Sequence, residues 1–64
     1  MSALQLKLQG YELKSLEGQL IYVNTCLRQP DIAKWETVEF QQVKDGLIKS
    51  ITDTKALIET IKEL

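Results

Sequence analysis

Two apolar rows, rather than one, run along the first half of this chain when it is wound at about 3.6 residues per turn. The first row comprises Leu6, Leu13, Leu16, Leu20, Val23 and Leu27, at steps of seven, three, four, three and four. The second, looser row comprises Leu4, Leu8, Tyr11, Tyr22 and Cys26. A helix in a simple two-helix hairpin needs to bury only one face. The second row therefore calls for a second partner, and Leu4, Leu8, Tyr11, Tyr22 and Cys26 form a candidate self-association face.

The break in this pattern is Arg28-Gln29-Pro30-Asp31. Pro30 has no amide proton to donate and disfavours helical geometry at Gln29, while Arg28 suits the negative end of a helix. Beyond it, Phe40, Val43, Leu47, Ile51, Ile58 and Ile61 make another helical row, with Thr54 in the same arc and Leu57 and Leu64 at its margin. Trp35 and Val38 fall outside that arc and Glu36 projects into it, so the phase fails before about residue 37. The expectation is one domain: helix one over about 2–28, a connection over about 29–37, and helix two over about 38–64. Ser2 and Gln5 have the form of a capping box at the start of helix one. Asp31 is placed to cap a short turn, and Thr37 to cap helix two with Glu36 and Glu39 near its positive end. Asp45 with Lys49 and Glu59 with Lys62 are spaced to pair on the exposed face of helix two.

Gly10 and Gly18 weaken the first helix by about 1 kcal/mol each relative to alanine. They open a competing reading in which Leu4, Leu6 and Leu8 alternate as a strand and Leu20 to Val23 form a second, giving a β-hairpin followed by a helix. The helical reading is preferred because the seven-residue register passes both glycines unshifted and no Asn-Gly or Asp-Gly turn is present. The expected fold class is all-α, an antiparallel two-helix hairpin that pairs into a four-helix bundle.

Size presses toward the same answer. A chain of 64 residues buries a limited share of its surface and needs extra stabilisation. With one cysteine and no histidine, neither an internal disulfide nor a zinc framework is available, so no metal and no cofactor are expected. Oligomerisation or very regular helix packing remains.

Eight basic side chains stand against nine acidic ones. Without a basic cluster, nucleic-acid or anionic-membrane binding is disfavoured, although Lys7, Lys14 and Arg28 on the polar side of helix one would supply a weak RNA contact if duplicated in a dimer. No apolar run spans a membrane and no signal-peptide pattern opens the chain, which reads as a cytoplasmic protein. No nucleophile, base or phosphate loop is recognisable, so no catalytic residue is assigned and an enzyme is not expected. Cys26 reads as a small buried apolar residue rather than an activated thiol. Trp35 has two readings: a lid folded over the open end of the bundle, the more ordinary one, or an anchor that docks a partner. The function these features suggest is a small module that binds protein and self-associates, a dimer being favoured. The rival readings are an inhibitor or adaptor for a heterologous protein target, and a weak RNA-binding dimer.

Overall fold

The computed structural model describes residues 2–64, with side chains from Ala3 onward. It consists of two helices, α1 over Ser2–Leu27 and α2 over Lys34–Lys62, folded back on each other as a hairpin. The β-hairpin alternative is thereby excluded: Leu4, Leu6 and Leu8 lie in continuous helix. The proposed Ser2–Gln5 capping box lies outside the described side chains.

The reversal is made locally. The end of α1 tightens, with Arg28 N–H donating to the Thr25 carbonyl and Gln29 N–H to that of Cys26, each at 3.2 Å. Pro30 then occupies the second position of a turn closed by Ile32 N–H on the Gln29 carbonyl at 3.4 Å, a place where its fixed φ is already correct. Ala33 is extended (φ −73°, ψ 152°) and is the residue from which α2 starts. Its N–H donates to Glu36 Oε1 at 3.3 Å, and its carbonyl accepts from both the N–H and the hydroxyl of Thr37, at 3.0 and 3.2 Å.

These contacts move the expected start of helix two four residues earlier, from Val38 to Lys34. Thr37 is not the cap but the first residue to close a helical turn, and Asp31 sits exposed in the connection. The loss of apolar phase before residue 37 has a simple cause. Trp35 and Val38 point to solvent, and the Glu36 carboxylate serves the end of the backbone rather than the core.

The first row of α1 meets α2 as expected. Leu16, Val23, Leu47 and Ile51 form the buried cluster, with Leu13, Leu20, Leu27 and Phe40 packed around it, and Thr54 and Ile61 buried along the same seam. Val43 departs from expectation: it is 50% exposed. It stands seven and fourteen residues before Ser50 and Leu57, and so belongs to the flank that carries Leu57 and Leu64. Of the two expected charge pairs, Lys62 Nζ meets Glu59 Oε1 at 3.5 Å, whereas among the described residues no ion pair joins Asp45 and Lys49.

The result is a single layer of two helices, 48 × 14 × 11 Å, with a radius of gyration of 14.8 Å. A compact chain of this length has a radius near 11 Å. Its accessible surface is 5052 Å², roughly 900 Å² more than is usual for a compact monomer of its mass. Even the best-covered core side chain, Val23, keeps 5% of its surface in contact with solvent. One layer does not close the core.

Candidate functional site

The second row of α1 lies on the surface. Leu8 is 55% exposed and Tyr22 66%, with Leu4 and Tyr11 close to both. Cys26 is only half-buried, less covered than its sequence reading implied. The five residues of the candidate self-association face thus share one side of α1, beside the seam rather than in it.

What the sequence reading missed is that α2 continues this face. Leu8, Ser15 and Tyr22 recur every seven residues, as do Val43, Ser50, Leu57 and Leu64 on α2. Seven residues make almost two whole turns, so each set forms a line along its helix. Two depressions show that the lines border the same side of the hairpin. One, of about 540 Å³, is floored by Val23 and Leu47 and rimmed by Ser15, Gly18, Tyr22 and Val43. Another, of about 340 Å³, lies between Leu8 on α1 and Leu57 and Leu64 on α2. The apolar face is therefore two helices wide. The signal was present in the sequence as the interval of fourteen between Val43 and Leu57, but it is masked there because Val43 also fits the edge of the core arc.

Ser15 and Gly18 on α1 border the first of these depressions together with the polar Gln19, while Gly46 and Ser50 are small residues exposed near Val43 on α2. Large ones flank them. A Cβ added at Gly18 or Gly46 would meet nothing within 4 Å, so neither glycine is required by packing within the hairpin. Both leave room above the layer.

At the connection end, a third depression of about 350 Å³ is bordered by Tyr22, Cys26, Ile32, Glu36 and Phe40. Here the Cys26 thiol, by hydrogen bonding and then by charge repulsion, holds the Tyr22 hydroxyl above the ordinary value of 10.0, so the phenol stays neutral through the physiological range. Trp35 stands in the first turn of α2 and is 65% exposed. Within one hairpin the indole does not fold over the core and is open to solvent at the connection. Lys7 and Lys14 are exposed on α1 and Arg28 follows its last turn, all seven or fourteen residues apart.

Among the described residues no helix is long and apolar enough to cross a membrane. No protein-family model, curated protein or solved structure matches this chain.

Proposed function

We propose that this protein is a small non-enzymatic assembly module that acts by self-association, two hairpins stacking their apolar faces into a four-helix bundle. The observation that carries this reading is the width of the face: Leu8 and Tyr22 on α1 and Val43, Leu57 and Leu64 on α2 are all exposed and border the two depressions shared by the helices. Its size fits the task. A face of 48 × 14 Å offers roughly 700 Å² per copy, or about 1,300 Å² in total, within the range of stable specific interfaces. So many large apolar side chains exposed on one short chain are uncommon on a lone monomer, and a second layer would cover the seam that one layer leaves open.

Sedimentation equilibrium over a wide concentration range is the test. The native chain is expected to run as a dimer. The variant carrying Leu8→Glu and Tyr22→Glu is expected to run as a monomer with its helix content retained. An unchanged mass with the fold intact would overturn the reading.

A second reading rests on Trp35. An exposed indole beside the connection, away from the proposed dimer seam, is the kind of anchor that docks a heterologous protein. Trp35→Ala is then expected to weaken capture of that target while leaving the dimer mass and thermal stability unchanged. The lone cysteine, with no disulfide to form inside the chain, suits a reducing cytoplasmic setting.

A further inference from the structure

Resting on the self-association reading, we infer that Glu12 sets the strength of the dimer. It is a carboxylate built into the contact face, and that face holds no cation to meet it, so two copies associate against the cost of covering it.

The placement of Glu12 follows from the seven-residue line to which it belongs. Gln5, Glu12, Gln19 and Cys26 stand one above another on α1, between the seam and the row of Leu8, Ser15 and Tyr22. Gln5 borders the depression beside Leu57 and Leu64, Gln19 the one beside Val43, and Cys26 the one at the connection. Glu12 is the remaining member of the line; it is exposed and stands between the depressions of Gln5 and Gln19. On α2, Ser50 occupies the same intermediate place between Val43 and Leu57. The middle of the face is thus a polar rung that separates two apolar hollows.

Nothing on this side of the hairpin answers the charge. None of the eight basic side chains borders any of the three depressions. The positions one turn away from Glu12 on α1 are Leu8, Gln9, Ser15 and Leu16, so its own helix offers it no ion pair. Among the described residues the one ion pair is that of Lys62 with Glu59. The Ser50 hydroxyl can donate a hydrogen bond but brings no charge.

A second copy presents the same face, and with it a second Glu12 and again no cation. This holds whichever way the two faces are turned. Each copy therefore strips water from a carboxylate on association and gains no opposite charge in return, a cost that subtracts from the apolar gain. A neutral amide at the same place is far less costly to cover. The carboxylate keeps the face from being fully complementary to itself, and makes the dimer reversible rather than permanent.

Sedimentation equilibrium of two nearly isosteric variants tests the assignment. Glu12→Gln and Glu17→Gln each remove one negative charge from the same helix and leave a good helix former in place. Glu17 lies on the opposite flank of α1, in line with Gly10 and Asn24, and borders none of the three depressions. Glu12→Gln is expected to lower the dimer dissociation constant about tenfold or more, the scale of two carboxylates no longer covered, one in each copy. Glu17→Gln is expected to leave it within about twofold of the native value. Equal tightening in both variants would mean that net charge, and not the position of Glu12, limits association, and would overturn the inference. An unchanged or weaker dimer in Glu12→Gln, with helix content intact, would overturn it while leaving self-association standing. A chain that stays monomeric in native form and in both variants at every concentration reached would overturn self-association as well.

Discussion

The seam and the outer face are built on the same seven-residue spacing in the same two helices, yet they differ in what they contain and in how well they are covered. The seam is aliphatic, Leu16, Val23, Leu47 and Ile51, and is buried within the hairpin. The outer face mixes rings with small residues, Tyr11 and Tyr22 with Gly18 and Gly46, and stands open. Branched and straight aliphatic side chains fill a fixed gap with little polar cost. Rings beside glycines suit a surface that has to admit a separately folded neighbour, since the ring supplies area and the glycine supplies access. The comparison teaches that a repeating apolar register does not by itself say which face a hairpin will close.

The sharpest way to break this contrast is a truncation on each side. Ile51→Ala, in the seam, is expected to cost about 2–3 kcal/mol in urea unfolding, toward the low end for a buried aliphatic because a little solvent already reaches the site. Leu57→Ala, on the outer face, should cost under about 1 kcal/mol in dilute solution and more at concentrations where copies associate. Equal costs at all concentrations would mean that the two faces are not distinct.

Glycine replacements refine the division. Gly10 lies on neither face, and an added Cβ would meet nothing within 4 Å. Gly10→Ala should therefore stabilise the hairpin by about 0.5–1 kcal/mol, read as a raised melting temperature, with association unchanged. Gly18→Ala gives the same local gain in helix propensity, but its methyl group enters the outer face. A thermal gain accompanied by altered dimer affinity at Gly18, and by none at Gly10, is the expected outcome.

Smaller still is the contribution of the cap. Glu36→Gln keeps an acceptor for the Ala33 amide but removes the charge from the first turn of α2, at an expected cost of about 0.5 kcal/mol in thermal unfolding. The smallest effect is a titration. Raised in the fold by Cys26, the Tyr22 hydroxyl favours its neutral form. Any stability linked to it is present below the ordinary phenol value and is lost as pH rises through the folded one. Cys26→Ala should bring the phenolate transition of Tyr22 back toward 10.0, measurable by ultraviolet titration.

The hairpin was legible because Leu6 to Leu27 and Phe40 to Ile61 each hold one phase across their glycines, and Pro30 stands between them. The start of α2 was not. Apolar phase reports burial, and Trp35 to Val38 form helix without burial, held by an amide bond from Ala33 to Glu36 that spacing alone does not reveal. On the outer face, the α1 row was visible because Glu12 and Gln19 separate it from the seam. On α2 no such polar separator stands between Val43 and Leu47, so the α2 half emerged only when tertiary packing showed which side Val43 occupies. The exposure of Trp35 was equally illegible, since a ring at a helix start can turn either way.

A hairpin returns its chain to where it began, and this has a practical corollary for the connection formed around Pro30. The first and last described residues lie at one pole and Trp35 at the other, with most of the 48 Å length between them. Anything tethered through residue 2 or residue 64 leaves from the same pole. Both tethers therefore depart from one pole while the indole stands at the opposite one, so the hairpin is polar along its axis: a handle at one end and an exposed ring at the other.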